Sequence, residues 1–80
     1  MQVRLFAGAR EAVQTDTVEL DIDIPCTIAS FKRAMISKWP ELESYVNYGR
    51  FAVGTDFVDD HFVVDTEAGE LALIPPVSGG

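Results

Sequence analysis

The apolar run Leu71-Ala72-Leu73-Ile74 is followed directly by two prolines, and this junction constrains the fold more than any other stretch. Four consecutive apolar residues are typical of a strand buried in a sheet. Pro76 has no N–H to donate to a neighbouring strand, and Pro75, which precedes a proline, is restricted to extended geometry. The sequence therefore predicts a buried strand over residues 70–74 that ends at the diproline, after which the chain leaves the domain in an extended conformation.

The segment after the diproline is Val77-Ser78-Gly79-Gly80. Gly79 and Gly80 have no Cβ, so the tip is as thin as a polypeptide can be and could enter a narrow channel. A terminal glycine also leaves its carboxyl carbon open to attack. A Gly-Gly ending alone fits an ordinary frayed terminus equally well, but a stiff diproline spacer directly after a buried strand favours a functional tail. We interpret residues 1–80 as a single domain with a flexible tail over residues 75–80.

The composition limits the classes of function. Eighty residues make one small domain, and 48% apolar residues suffice for one core. A single cysteine, Cys26, excludes an intramolecular disulfide, and with one histidine, His61, the chain lacks the ligands of a zinc site. The net charge of −7 argues against nucleic acid and anionic membranes as partners and suits a basic protein. Without a signal segment or an apolar run of about 18 residues, the expected location is the cytoplasm.

Two strands are predicted in the N-terminal part of the chain. Residues 1–7 alternate, with Val3 and Leu5 on one face and Phe6 on the other. Residues 8–16 are polar and are expected to form turns. Residues 17–24 alternate most clearly, with apolar side chains on one face and acidic ones on the other: Val18, Leu20, Ile22 and Ile24 against Glu19, Asp21 and Asp23. The two strands are expected to pair as a hairpin.

One helix is predicted after Thr27, a good N-cap residue, and Pro40 ends it. Its apolar residues recur every three or four positions and are interpreted as core: Ile28, Phe31, Met35 and Trp39. The later segments are predicted to be a helical turn over 41–49, a strand over 50–53, a turn over 54–56, a short strand at 57–58 and an acidic irregular segment over 59–69. A hairpin, a crossing helix and a C-terminal strand beside the first strand indicate an α+β fold, with one main helix packed on one face of the sheet.

The alternation also predicts a patch on the face of the sheet away from the helix. If Val3 and Leu5 face the helix, then Phe6 and Ile74 face the open side. Phe57 is a further aromatic residue without a place in the core. Apolar side chains on adjacent strands beside the root of the tail form a patch of the kind that marks an interface. Phe6, Phe57 and Ile74 are therefore candidate partner-binding residues, and the alternative is that loops cover one or more of them.

Three stretches carry a resemblance to a known family: Val3-Arg4-Leu5-Phe6-Ala7 with Arg10-Glu11, the pair Ala52-Val53, and Leu73 to Gly80. Together they resemble the small subunit of molybdopterin synthase, a ubiquitin-like β-grasp sulfur carrier, over essentially the whole chain. The tail is the most specific part, since sulfur carriers of the thiamin pathway share Gly-Gly but usually lack the preceding Pro-Pro-Val-Ser/Thr. Two turns depart from the family: Gly54 replaces a frequent asparagine, and Ala68-Gly69-Glu70 replaces the usual Gly-Asp-Glu.

The resemblance implies a β-grasp fold and a role in sulfur transfer. In such proteins the terminal carboxylate, here on Gly80, is adenylated with ATP by an enzyme related to ubiquitin-activating enzymes and is then converted to a thiocarboxylate. The tail inserts into the large synthase subunit, within a heterotetramer, and gives its sulfur to a pterin precursor of the molybdenum cofactor. The tail residues that match are Pro75, Pro76, Val77, Ser78, Gly79 and Gly80. The chain itself is expected to bind no cofactor, because the activating partner uses the ATP. It is also expected to bind no metal and to have no catalytic site of its own.

Other functions stay open at this point. The chain could carry sulfur for thiamin or tRNA thiolation, could be conjugated to lysines as a ubiquitin-like modifier, or could be a β-grasp interaction module whose Gly-Gly is incidental. Two side chains are considered as alternative reactive groups. Cys26 stands at a predicted helix start, where a thiolate could be favoured, but a small buried residue is the better interpretation. His61 is interpreted as a surface histidine.

Overall fold

A computed structural model of the chain describes residues 1–66 and 69–75. These residues form seven strands, three α-helices and one 3-10 turn. In chain order the elements are β1 (Gln2–Leu5), α1 (Ala7–Val13), β2 (Thr17–Glu19), β3 (Cys26–Thr27), α2 (Ile28–Lys38), the 3-10 turn (Pro40–Leu42), α3 (Glu43–Tyr48), β4 (Arg50–Val53), β5 (Asp56–Val58), β6 (Val63–Val64) and β7 (Leu71–Ile74).

Five strands form a mixed sheet in the order β2-β1-β7-β4-β5, with β7 at its centre. The β1–β7 pair is parallel, and Leu5 stands opposite Leu73. The β2–β1, β7–β4 and β4–β5 pairs are antiparallel. The C-terminal strand therefore lies beside the first strand, as predicted, and the two are parallel neighbours within the sheet. The α+β class is confirmed as well.

Helix α2 packs its apolar stripe against one face of this sheet. The Thr27 hydroxyl accepts a hydrogen bond from the Ser30 N–H at 3.2 Å, which confirms Thr27 as the N-cap. Ile28, Phe31 and Met35 are fully buried, as the spacing predicted. The ring centroids of Phe31 and Phe51 lie 6.0 Å apart at 76°, an edge-to-face contact that ties α2 to β4.

The predicted second strand is shorter than its alternating sequence. Only Thr17–Glu19 pairs with β1, although Val18 and Leu20 are buried as expected. Gln2 stands opposite Glu19, and the Leu20 N–H donates to the Met1 carbonyl. Residues 21–24 follow this pairing and belong to no strand. The alternation there therefore gives alternate burial without a strand.

The prediction of turns over residues 8–16 was wrong, because α1 occupies most of this segment. The Phe6 carbonyl accepts hydrogen bonds from the N–H groups of Ala9 and Arg10, which starts the helix. Ala9 is fully buried and Val13 half-buried, so the buried side of α1 is too narrow to give a repeating apolar spacing in the sequence. Gln14 closes the helix in the left-handed conformation, with φ of 59°.

A second, two-stranded sheet was also missed. Residues 59–69 were expected to be irregular, but β6 pairs antiparallel with β3, with Cys26 opposite Val64. Val64 is fully buried, and the Ile28 N–H donates to the Phe62 carbonyl at 2.9 Å. Two-residue strands show no alternation that a sequence could reveal. The strand predicted over 50–53 and the helical turn predicted over 41–49 are confirmed by β4 and by the 3-10 turn with α3.

Candidate functional site

The open face of the sheet is the side opposite α2, and the strand register defines it. One row of directly opposed residues crosses all five strands of this face: Thr17, Arg4, Ala72, Ala52 and Phe57. The next row along β7 contains Ile74 opposite Arg50. The intervening residues point towards α2, and Leu5, Leu73 and Phe51 among them are buried.

Phe57 stands at the β5 edge of the open face. More than half of its surface, 54%, is exposed. The guanidinium carbon of Arg50 lies 4.5 Å from the centroid of the Phe57 ring, within cation–π range. Ala52, directly opposite Phe57, and Ala72 beside it present only methyl groups. Phe57 is therefore the large apolar side chain at this edge, next to the small side chains of Ala52 and Ala72.

Phe6 stands at the end of β1 and is the N-cap residue of α1. Its side chain is 36% exposed, and the guanidinium carbon of Arg4 lies 5.5 Å from its ring centroid. Arg4 also donates to the Glu70 carboxylate at 3.4 Å. Phe6 is thus not enclosed beneath α2. Its exposure agrees with the alternation that placed it on the opposite face from Val3 and Leu5.

The root of the tail lies beside these residues. Ile74 ends β7, and both Ile74 and Pro75 are half-buried. Gly49 approaches the end of β7 so closely that a Cβ on it would stand 2.6 Å from the Ile74 carbonyl oxygen. Pro76, Val77, Ser78, Gly79 and Gly80, the other predicted tail residues, lie outside the described part of the chain. Of the predicted partner-binding residues, the structure thus places Phe6, Phe57, Ile74 and Pro75.

The arginines on the open face were not among the predicted site residues. Arg4 and Phe6 are two positions apart on one strand, a spacing that places both on one face. This signal was available in the sequence. Arg50 and Phe57 meet only through the register of β4 and β5, in which Phe51 stands opposite Val58. No short-range sequence signal indicates that contact.

Side chains with chemistry of their own do not gather elsewhere in the described residues. Cys26 is half-buried beside the core, and burial raises the pKa of its thiol, which disfavours the thiolate. His61 is exposed, as expected. Asp60 accepts a hydrogen bond from the Lys32 ammonium at 2.6 Å, and this bond lowers the pKa of the Asp60 carboxyl. Within residues 1–66 and 69–75, no group of three or more histidine, cysteine, aspartate or glutamate side chains is arranged to hold a metal ion.

Comparison with known proteins identifies the family. The chain is 34% identical to small archaeal modifier protein 1 of Haloferax volcanii, in an alignment of 97 positions that covers both proteins in full. It is 31% identical to the molybdopterin synthase sulfur carrier subunit of Arabidopsis thaliana, over 80 positions that cover all of this chain and 82% of that protein. The chain belongs to the family of ubiquitin-like sulfur carriers. No family model matches this member of the family.

Solved structures of relatives agree with this assignment. A crystal structure of small archaeal modifier protein 1 from Haloferax volcanii matches this family member with a TM-score of 0.82 at 30% identity, covering 100% of this chain and 98% of that chain. A Pyrococcus furiosus protein assigned as molybdopterin converting factor, subunit 1, gives a TM-score of 0.78 at 14% identity, which shows the fold alone. The β-grasp fold that the resemblance implied is confirmed. No helix in the described part of the chain is long and apolar enough to cross a membrane.

Proposed function

We propose that this chain is the sulfur carrier subunit of molybdopterin synthase and that the carboxylate of Gly80 carries the sulfur. A carboxylate is a poor acceptor for sulfur until one of its oxygens becomes part of a leaving group. A partner enzyme therefore joins the Gly80 carboxylate to the adenylyl group of ATP and releases pyrophosphate. A sulfur nucleophile then attacks the carbonyl carbon and displaces AMP, which leaves a thiocarboxylate.

The observation that carries this proposal is the segment Pro75-Pro76-Val77-Ser78-Gly79-Gly80 directly after the central strand β7. Two relatives that match nearly the whole chain, from Arabidopsis thaliana and Dictyostelium discoideum, are named as molybdopterin synthase sulfur carrier subunits. Within the described residues, no group of histidine, cysteine, aspartate or glutamate side chains is arranged to hold a metal ion. These three observations together favour a carrier over an enzyme with its own site.

The partners proposed for the chain are the large synthase subunit and an adenylating enzyme related to ubiquitin-activating enzymes. Both must receive the same tail, so both are proposed to dock on the surface from which it leaves. Phe6, Phe57 and Ile74 lie on this surface, and Ile74 ends the strand that leads into the tail. The small side chains of Ala52 and Ala72 stand in the same row of this face as Phe57. Docking here fixes the distance from the sheet to the Gly80 carboxyl carbon.

Intact mass measurement tests the proposed chemistry. Co-expressed with its adenylating enzyme and a sulfur donor, the wild-type chain should gain the mass that corresponds to replacing one oxygen by sulfur. Deleting Gly80 moves the carboxylate back by about 3.5 Å on an extended chain, which is more than a near-attack geometry tolerates. That variant should stay unmodified. Gly79→Val keeps the length of the tail but adds a β-branched side chain, so it should lose productive binding to the partners instead.

The sulfurated chain, supplied with purified large subunit and pterin precursor, should give molybdopterin and return to its unmodified mass. Thiocarboxylate formation without molybdopterin formation would place the carrier in another pathway, such as thiamin synthesis or tRNA thiolation. If the Gly80 deletion were sulfurated and transferred sulfur as well as the wild type, the carrier proposal would have to be abandoned.

A second candidate function is covalent modification of other proteins, favoured by the full-length 34% match to small archaeal modifier protein 1. The first step is the same, but a lysine amine then attacks the acyl-adenylate and displaces AMP. The two lysines of this chain already have partners: Lys32 binds Asp60, and Lys38 donates to the Glu19 carbonyl and lies 4.9 Å from the Trp39 ring centroid. Mass spectrometry of cell extracts for this chain's C-terminus linked to lysines would detect such conjugates.

A further inference from the structure

The charge of the open face differs from the charge of the whole chain. The chain has thirteen acidic and six basic residues, with a net charge of −7. Two of the basic residues, Arg4 and Arg50, belong to the open face through the register of β1 and β4. On the acidic side, Glu19 stands opposite Gln2, and Glu70 accepts from Arg4. The charges of these four residues balance, so this part of the open face is neutral, in contrast to the net charge of −7 of the chain.

The two glutamates near this face already have cationic partners. Glu19 forms an ion pair with the N-terminal ammonium group of Met1. Glu70 forms its ion pair with Arg4 at 3.4 Å. Among the described residues, no carboxylate forms an ion pair with Arg50. Arg50 is therefore the cation of the open face whose hydrogen-bonding capacity is least used within the described chain.

Arg50 is also held in a defined place. Its guanidinium carbon lies 4.5 Å from the centroid of the Phe57 ring, and its backbone stands directly opposite Ile74 at the root of the tail. An aromatic ring attracts the cation but offers no oxygen lone pair to the five N–H donors of a guanidinium. Two of these N–H groups can donate to the two oxygens of one carboxylate in a bidentate arrangement. Arg4 makes a similar cation–π contact with the ring of Phe6, but its guanidinium group also donates a hydrogen bond to Glu70.

We propose that the partner surface that docks on the open face is apolar at its centre and carries carboxylates opposite Arg50 and, secondarily, opposite Arg4. This inference rests on the proposed docking function and assigns the chemistry of its partner surface. The net charge of the chain predicts the opposite, a basic contact surface. Docking removes water from both guanidinium groups, and a desolvated cation left without an anion is costly. A carboxylate opposite Arg50 compensates that cost, whereas a lysine or arginine there would increase it.

Charge reversal at two exposed arginines tests the proposal. The probe is the purified large subunit of molybdopterin synthase from the same organism, titrated calorimetrically with wild-type chain, Arg50→Glu and Arg33→Glu. Arg33 is exposed on α2, on the other side of the sheet, and donates only to Ser30 within its own helix. Both substitutions change the net charge equally. Arg50→Glu should raise Kd about tenfold or more, and Arg33→Glu about twofold or less.

Further variants separate this inference from the docking proposal. Arg50→Lys keeps the charge but loses the planar fork, so it should fall between the wild type and Arg50→Glu. If Arg50→Glu binds as tightly as the wild type or tighter while Phe57→Ala binds weakly, docking stands and the acidic partner surface is wrong. If neither variant changes Kd, the open face is not the docking surface. Thermal unfolding of each variant, expected at the wild-type temperature because Arg50 is exposed, shows that the fold is intact.

Discussion

The three apolar side chains of the open face differ in how much they present to a partner. Phe57 is 54% exposed and Phe6 36%, while Ile74 is half-buried beside the tail. Each of the two rings has an arginine over it, which leaves part of the ring for contact. In a complex docked on the open face, these side chains would bury more apolar surface than their neighbours on that face. Truncating these residues should therefore reduce the affinity for the partner most.

Truncating these side chains should weaken docking without unfolding the domain. Phe57→Ala or Ile74→Ala should cost about 1–3 kcal/mol of binding free energy for the large subunit, as is typical of interface anchors. Tyr48→Ala is the matched control, because Tyr48 is 76% exposed at the end of α3 and belongs to no strand of the sheet. Calorimetric titration measures the three affinities. Equal losses for Phe57→Ala and Tyr48→Ala would contradict a docking site on the open face.

The backbone angle φ of Gly54 accounts for one departure from the family, the glycine that replaces a frequent asparagine. Its φ is +62°, in the left-handed region, and no atom lies within 4 Å of the position that a Cβ would occupy. The constraint at this turn is thus conformational and not steric. Asparagine, the frequent residue of the family at this position, is among the few other residues that tolerate left-handed geometry. Glycine and asparagine therefore satisfy the same turn.

The stability of variants at Gly54 should depend on how well the new residue tolerates left-handed backbone geometry. Gly54→Ala should lower the free energy of unfolding by about 1 kcal/mol, and Gly54→Asn by less. Gly69→Ala is the control, because its nearest neighbours would stand at an ordinary 3.7 Å and its φ is not positive. Urea denaturation followed by circular dichroism measures all three. A Gly54→Ala variant as stable as the wild type would show that the turn adopts another conformation.

The elements that the sequence predicted best are those in which an apolar spacing repeats. Helix α2 repeats its stripe over three turns, and β7 is a continuous apolar run, so both were located closely. Helix α1 has one fully buried residue, Ala9, and the β3–β6 pair has two residues a strand. Neither is long enough for a periodic signal. These elements form because tertiary contacts select them.

The candidate site shows the same limit. Alternation placed Phe6 and Ile74 away from the helix face, and the register of β1, β7 and β4 agrees with that placement. Arg50 meets Phe57 diagonally across β4 and β5, which only the pairing of those strands defines. The charge of the open face depends on the same pairing. Net charge, which the sequence gives directly, therefore indicated a different partner surface from the one that the local arrangement favours.

The approach of Gly49 to β7 fixes the position of the tail root. A Cβ at Gly49 would stand 2.5 Å from the Tyr45 carbonyl oxygen and 2.6 Å from the Ile74 carbonyl oxygen. Both contacts are with backbone, so no side-chain rotation relieves them. Gly49→Ala should destabilise the domain by about 1–3 kcal/mol, as overpacking commonly does. Chemical denaturation measures the loss, and Gly69→Ala again serves as control. Unchanged stability would mean that β4 and β7 separate easily at this end.

The Lys32–Asp60 pair links α2 to the segment after β5 and gives a weak pH dependence. The hydrogen bond from Lys32 lowers the pKa of the Asp60 carboxyl in the folded state. The pair therefore stabilises the fold fully above the unfolded-state pKa of about 4 and loses this effect as the pH falls through the lower folded-state pKa. Asp60→Asn should be less stable than the wild type at pH 7, and the difference should shrink below about pH 4. A constant difference, measured beside the control Asp21→Asn, would contradict this.

The whole molecule presents two different electrostatic surfaces. The chain is acidic overall, whereas the open face carries the guanidinium groups of Arg4 and Arg50. At distances beyond contact, the net charge of −7 attracts a partner with a positive overall field. At contact, the arginines of the open face select carboxylates. A partner with basic flanks around an apolar and acidic centre satisfies both requirements, and such a pattern would also orient the approach.

The central position of β7 has a consequence for how the domain folds. β7 is the last strand in the sequence, yet it joins the pair β1–β2 to the pair β4–β5. Without it the two pairs share no hydrogen-bonded ladder. Its parallel pairing with β1 brings together residues from opposite ends of the chain, a contact of high sequence separation that typically forms slowly. A copy interrupted before residue 71 therefore lacks both the strand that joins the two halves of the sheet and the root of the tail.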